Sequence, residues 1–508
     1  MKLRGVELRN PPRYVTASIL CSMGGFLFGM DTGIIGPVTV MESYTSEFGS
    51  QAATIHGLIV SSILIPASIS SFFAGRLADV LGRPKGIAIG ALIFGIGAAM
   101  EGAAVQIAMF VVGRIIEGIG EGLYLGTLIV YICEISPPSQ RGPLTTGPQL
   151  LITVGLVAGF FTCYGTGRMN SSMSWRAPYI VLASLSVLFA NASFFGLPES
   201  PRWLSLRGRK AEAVYAWETL GVNPADREKA EDQYETPLVE DRNAIELRSR
   251  TSTDGRRHRE PVKDKVSFFD VFKRDVRART LLAVFMMGMQ QMSGIDGVLY
   301  YAPLLFEQAG LASSKASFLA SGVSAIVIFV VTVPALIWCD KWGRRRSTIY
   351  GGLGISATMF LIGGLYAGKA VHAAYGAGRW VVIVSIYVYT VIFSLSWAIG
   401  IRIYSAEIQP QRTRASATSL AHGSNWAANF LVALSTPILL ANSSSGAYFL
   451  FGGCTLVTAV VCWVFMPETQ GRSLDEIEEA FRSRMSESKG MFKAIRKVLA
   501  RAPVTAEA

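Results

Sequence analysis

Charge is scarce in this chain. Only 16% of its 508 residues are Asp, Glu, Lys or Arg, and 51% are hydrophobic. Soluble domains carry about 25% charge, so the composition excludes an ordinary water-soluble globule. The mean hydropathy is +0.38. Histidine is rarer still, with four in all and no metal-ligand spacing among them. Six cysteines (Cys21, Cys133, Cys163, Cys339, Cys454, Cys462) lie in or at the ends of apolar stretches with no CxxC pattern, which reads as small apolar packing rather than a disulfide framework or a metal site. There is no phosphate-cradling glycine loop of the Walker kind and no nucleophile–base constellation. ATP-driven transport and enzymatic function therefore lack support, and no cofactor is implied.

A net charge of +11 invites a nucleic-acid reading, but its distribution argues against one. Eighteen of the 47 Lys and Arg fall within 199–279. Arg202/Arg207/Arg209/Lys210 form a cluster within that stretch, and further basic clusters sit at Arg76/Arg83/Lys85 and Lys341/Arg344/Arg345/Arg346. All lie on alternate connections, whereas the connection 38–53 carries Glu42 and Glu47 instead. The positive-inside rule places both termini and the long central loop in the cytoplasm. A membrane rather than nucleic acid is the partner implied.

What the chain has in abundance is apolar runs of spanning length, since roughly 20 residues cross the hydrocarbon. Twelve are legible: 13–37, 54–75, 86–104, 107–131, 145–165, 178–197, 280–304, 314–338, 348–367, 380–405, 416–439 and 446–466. The first is too long, and too poor in a small-residue cleavage site, to read as a cleavable signal peptide. The expected organisation is a lead-in 1–12, a six-helix bundle 13–197, a cytoplasmic loop 198–279, a second bundle 280–466 and a tail 467–508. Within the loop, 211–220 reads as helical and 240–265 as flexible. In the tail, apolar spacing over Leu474–Phe481 predicts a surface helix. The 51 glycines suit close helix approach in lipid, as at Gly86-x3-Gly90, Gly118-x3-Gly122 and Gly155-x3-Gly159. Glycosylation sequons at Asn170 and Asn442 fall in expected outer loops, while the one at Asn191 lies inside a span.

Two charged signatures recur. Asp79-Val-Leu-Gly-Arg83 returns as Asp340-Lys-Trp-Gly-Arg344 after 261 positions, and the Glu134 to Arg141 pair returns as Glu407 to Arg414 after 273. Like-patterned charges at the ends of apolar runs in both halves are what a transporter with internal structural repeats would carry.

A wider set of motifs carries a family resemblance. They are Gly24-Gly-Phe-Leu-Phe-Gly-Met-Asp31, Gly75 to Arg83, Gly113-Arg114, Pro198-Glu-Ser-Pro-Arg202, Gln290-Gln291 through Tyr300-Tyr301-Ala-Pro303, Ser424-Asn-Trp426 with Asn429-Phe430, and Pro467-Glu-Thr through Leu474. In this order the chain resembles, over nearly its whole length, a sugar porter of the major facilitator superfamily, with wording similar to fungal members. The resemblance implies an all-α membrane protein with twelve transmembrane helices in two pseudo-symmetric six-helix bundles. It also implies import of a sugar, or a related polyol or hydroxy acid, by proton symport through alternating access. The partners would be a small molecule, a proton and the lipid bilayer, for a monomer in the plasma membrane. Three other readings on the same fold are a facilitator without proton coupling, a nutrient sensor and a metabolite exporter. Against the sensor stands the short tail. Against the exporter stands Leu150–Phe161, which lacks the Gly-Pro motif of drug antiporters.

Site residues follow from the resemblance and from the cost of intramembrane charge. Asp31 is expected to accept the proton and Arg114 to govern its release, the alternative being mutual neutralisation alone. Glu117 and Glu121 share the helical face of Arg114. They read either as an intrahelical salt bridge with Glu121 facing a wet cavity, or as a second protonatable site. The resemblance assigns Gln149, Gln290, Gln291, Phe393 and Asn425 to cargo binding and Tyr300 and Tyr301 to an outer gate. It assigns Asp79, Arg83, Glu134, Arg141, Asp340, Arg344, Glu407 and Arg414 to a cytoplasmic gate network. Amides that donate and accept suit sugar hydroxyls, and aromatics suit their C–H faces. Three positions depart from the family pattern: Asp296 replaces an asparagine, Ile328 a polar residue and Arg402 a tryptophan. Asp296 and Arg402 are expected to pair, or Arg402 to meet an anionic group on the cargo; the alternative is Arg402 snorkelling toward Glu407.

Overall fold

The computed structural model describes residues 11–137, 140–224, 226–228, 268–273, 276–311, 314–338, 341–372, 376–410, 413–472 and 476–487. Among these there is no strand. Eleven helices are long and apolar enough to cross a membrane. In the first half they are Arg13–Thr39, Ala53–Leu81, Arg83–Gly102, Ile107–Ile135, Arg141–Thr166 and Met173–Gly196. In the second half they are Ser314–Trp338, Arg344–Ala367, Gly378–Glu407, Arg414–Asn442 and Gly446–Phe465.

The seventh expected span is broken into Arg277–Gln291, Ile295–Tyr300 and Ala302–Gln308. The break falls at Gly294, whose φ of +87° is a backbone conformation that L side chains rarely adopt, and a Cβ there would strike the ring of Phe451. An uninterrupted apolar count cannot see such a break. It leaves polar backbone at membrane depth, tolerated where it is buried in protein or lines a cavity.

Large apolar side chains face outward all around the helices, among them Phe195 at 80% exposure, Leu188 at 64% and Ile337 at 63%. A water-soluble surface would not present them so densely; a lipid-facing one does.

The chain divides into two compact units. The first comprises Met1–Asp31, Pro66–Leu156 and Arg176–Ser267. It holds the third and fourth spans packed closely along a glycine seam. A Cβ on Gly113 would lie 2.8 Å from the Cγ of Glu101, and one on Gly97 would overlap the backbone of Glu117. The same economy joins the first and fifth spans, where a Cβ on Gly155 would overlap the carbonyl of Phe26. In lipid, such backbone proximity supplies the packing that the hydrophobic effect supplies in water.

The second unit comprises Thr32–Ile65, Val157–Trp175 and Phe268–Ala508. In it, Gly57 of the second span packs on the backbone of Leu434 in the eleventh, and His56 meets the ring of Tyr301 edge-on at 5.3 Å. Phe160 of the fifth span lies 4.7 Å from Phe318 of the eighth. The helix Lys210–Leu220 forms as its sequence suggests. Residues 476–487 are helical with Ile477 and Phe481 buried, while Leu474 and the stretch 240–265 lie outside the described residues.

Candidate functional site

Three groups of polar side chains stand out against the apolar background. The deepest lies in the first unit. Arg114, on the fourth span, is 1% exposed and donates from Nη1 to Oδ1 of Asp31 at 2.7 Å. The same nitrogen lies 3.5 Å from Glu117 and 3.7 Å from Glu101, both wholly buried. The intrahelical contact of Arg114 with Glu117 therefore exists. Glu121 does not face a wet cavity, because it too is 0% exposed. Burying charge is expensive unless it is paired, so three carboxyl groups within 3.7 Å of one guanidinium are not a packing accident.

Sequence reasoning misses Glu101. Its place near the end of the third span suggests an interfacial acid, yet the Gly97 and Gly113 seam draws it inside. The signal available was an acid in the otherwise uncharged run 86–104.

The second group, in the second unit, is an amide cluster across the broken seventh span and the eleventh. Asn425 donates to Oε1 of Gln290 at 3.2 Å and to the Met287 carbonyl at 2.8 Å, and Gln291 donates to Oδ1 of Asn425 at 3.2 Å. Gln290 ties this cluster to the tenth span through the Trp397 carbonyl at 2.6 Å. Oε1 of Gln291 is buried with no hydrogen-bond donor, an acceptor of the sort a cargo hydroxyl can satisfy. Asp296 sits on the short helix Ile295–Tyr300 and lies in the field of Arg402. Arg402, on the tenth span, is exposed, and His422 lies in its field. Phe393 stacks beside Tyr389 at 6.5 Å, and Ile328 is buried. Tyr300 and Tyr301 are 4% and 2% exposed, and the Tyr301 hydroxyl donates to the Ala433 carbonyl at 2.7 Å. Gln149, half-buried, belongs to the first unit.

The third group occupies the ends of the spans that carry the Arg-rich connections. In the first unit Arg83 grips Glu134 with two bonds, 3.0 and 3.2 Å, and reaches Asp79 at 2.7 Å. In the second unit Arg344 reaches Glu407 at 3.3 Å, and Thr469 donates to the other Glu407 oxygen at 2.6 Å. Each half thus joins its first signature to its second. Arg414 donates to the Gln409 carbonyl at 3.2 Å and lies in the field of Glu407. Arg141 is half-exposed at the start of the fifth span, and Asp340 lies outside the described residues.

Behind each junction sits a further acid. Glu468 accepts the backbone N–H of Arg344 at 2.8 Å and of Arg345 at 3.1 Å, capping the ninth span. Glu199 stands at the matching end of the third span, against Gly82, where Pro84 offers no N–H. Its Oε2 is buried without a partner, and burial raises its carboxyl above the usual range despite Lys85, Arg209 and Arg83 nearby.

Comparison with known proteins fits this geometry. The family model described as "Sugar (and other) transporter" matches residues 17–481. The chain belongs to that family. It is a multi-pass membrane transporter with the twelve-helix major facilitator fold, and not an enzyme. It is 28% identical to a high-affinity glucose transporter of Kluyveromyces lactis over 92% of this chain and 84% of the relative. It is 30% identical to a quinate permease of Neurospora terricola, covering 92% and 89%. Among solved structures, the proton:xylose symporter XylE bound to 6-bromo-6-deoxy-D-glucose superposes with a TM-score of 0.72 at 26% identity, covering 92% of this chain and 99% of that one.

Proposed function

We propose that this family member imports a small polyhydroxylated molecule, a sugar or a related polyol or hydroxy acid, by proton symport through alternating access. The observation that carries the reading is the buried Asp31–Arg114 pair at 2.7 Å. An acid protonated during cargo movement and clasped by the guanidinium otherwise would couple the two fluxes. The likeness to a protein described as a proton:xylose symporter supports it. The work is divided between halves 13–197 and 280–466, joined by 198–279, with both termini in the cytoplasm and one chain as the functional unit in the plasma membrane.

In this reading Gln149, Gln290, Gln291, Asn425 and Phe393 meet cargo. Tyr300 and Tyr301 close the outer side, and the Arg83–Glu134 and Arg344–Glu407 junctions serve the inner gate. A carboxylate-bearing cargo gains support from Arg402, an exposed cation on the tenth span, and from the likeness to a quinate permease.

The test is uptake of labelled hexoses, pentoses, inositol and quinate in cells stripped of their own carriers, with and without a proton uncoupler. Uptake of one class that collapses with the uncoupler supports the reading. Uptake indifferent to it makes the protein a facilitator, and no uptake of any member points to a sensor or an exporter.

A further inference from the structure

The Asp31–Arg114 pair leaves Glu101, Glu117 and Glu121 unexplained. Each is 0% exposed, and no N–H or O–H of the described residues hydrogen-bonds their carboxyl oxygens. Two buried phenols, Tyr124 and Tyr179, border the group, and their hydroxyls also lack partners among the described residues. Tyr124 lies in the fields of Glu121 and Glu117, and Tyr179 in those of Glu101 and Arg114. With Arg114 the only cation in the group, full ionisation would bury three uncompensated negative charges, an arrangement proteins avoid by taking up protons.

Glu101 and Glu117 show where one proton resides. Their carboxyl oxygens and that of Asp31 lie within 4.8 Å of one another, and a proton placed between the two glutamates would join them in a hydrogen bond. Two carboxyl groups can share such a bond only when one of them is protonated. A metal ion is a poor alternative occupant, because the Arg114 guanidinium already stands 2.7–3.7 Å from these same three acids. The seam that brings the pair together is glycine at both Gly97 and Gly113, so the contact is built into the helix packing.

We propose that Glu101 and Glu117 form a dyad sharing one proton, which passes to Asp31 while Arg114 exchanges partners. The step balances: the O–H bond at the dyad breaks, an O–H bond forms on Asp31, and no net charge enters or leaves the group. Arg114 leaves the neutral Asp31 and turns to Glu117 and Glu101, where it stabilises the two carboxylates the proton left behind. The distances make the exchange short, since the second-choice partners are within 1 Å of the first. The dyad is refilled from the aqueous side only after Asp31 has released its proton and taken Arg114 back. This inference rests on the symport reading of Asp31, which it extends by naming where that proton waits.

The test is infrared spectroscopy of the purified, detergent-solubilised full chain at neutral pH, reading the carbonyl stretch of buried protonated carboxyl groups, with proton-driven uptake measured in parallel. Glu121→Gln identifies the contribution of that third acid. Glutamine in either dyad position imitates the protonated acid and leaves the other ionised, so Glu101→Gln and Glu117→Gln are each expected to lose the dyad band completely. Asp31→Asn imitates the state after the handover and is expected to lose it too, although both glutamates remain. Glu101→Asp, which keeps an acid and withdraws it by one methylene, is expected to move the band without removing it.

A dyad band unchanged or merely halved in the two glutamine variants overturns the shared proton. A band that survives in Asp31→Asn overturns the handover. Failure of the symport reading looks different: wild-type uptake indifferent to an uncoupler, whatever the spectra show.

Discussion

Each half sets a glutamate against the start of a span, Glu199 in one and Glu468 in the other, but with different chemistry, and the difference predicts opposite responses to one substitution. Glu468 accepts the Arg344 and Arg345 N–H groups at 2.8 and 3.1 Å and those of Thr469 and Gln470 at 3.1 and 3.2 Å. In Glu468→Gln one oxygen becomes an amide that confronts the Arg345 donor, and the charge at the start of the ninth span disappears. A hydrogen bond to a charged group contributes about 1.5–3 kcal/mol and the helix-terminal charge a further 0.3–1 or so. The expected loss is about 2–4 kcal/mol by that arithmetic. Glu199 has no such return, because Pro84 occupies the place of Arg345. Its carboxyl is raised by burial, so the folded state holds the proton more tightly than the unfolded one. The sign follows from linkage: its ionisation burdens the folded state as pH rises through the raised value, and the burden vanishes below the ordinary carboxylate range. Glu199→Gln should therefore leave stability unchanged within about 0.5 kcal/mol or raise it slightly at neutral pH, and should remove part of any gain the wild type shows on acidification. Thermal unfolding in detergent, followed by tryptophan fluorescence across a pH series, reads both. Equal loss in the two variants, or a larger loss in Glu199→Gln, would refute the reasoning.

Other consequences concern packing and charge. Arg83→Ala strands Glu134, which is 3% exposed, and should destabilise by about 3–5 kcal/mol, read as a lower melting temperature than Asp79→Ala, whose side chain is 68% exposed. Gly113→Leu drives a side chain into the Cγ of Glu101 at 2.8 Å and should reduce the monodisperse fraction on size exclusion, with a penalty of at least about 1–3 kcal/mol. For Asp296 and Arg402, exchanging the two charges should restore some of the uptake that Asp296→Arg and Arg402→Asp each lose; a double variant no better than the singles would dismiss the pairing.

Much of the fold is legible in the sequence, because apolar length and the alternation of Arg-rich connections are imposed by the bilayer itself. The seventh span is the exception. Its apolar count is continuous, but the chain turns at Gly294, where the φ of +87° and the contact with Phe451 together explain why a glycine is required. Asp31 and Arg114 are legible as charges inside spans, as is the helical face that Arg114 shares with Glu117 and Glu121. Glu101 is not, since its depth comes from a seam of two glycines on different helices. The repeated signatures single out Arg83, Glu134, Arg344 and Glu407; that each arginine bonds the glutamate of the other signature is a tertiary fact.

The central claim is that Asp31 couples cargo to protons. Its most direct test is accumulation in proteoliposomes under an imposed inward proton gradient, using the cargo identified by uptake. Wild type is expected to concentrate cargo above the outside level and to lose that ability when the gradient is collapsed, while Asp31→Asn only equilibrates it. Equilibration without accumulation by the wild type, or accumulation undiminished in Asp31→Asn, would contradict the account.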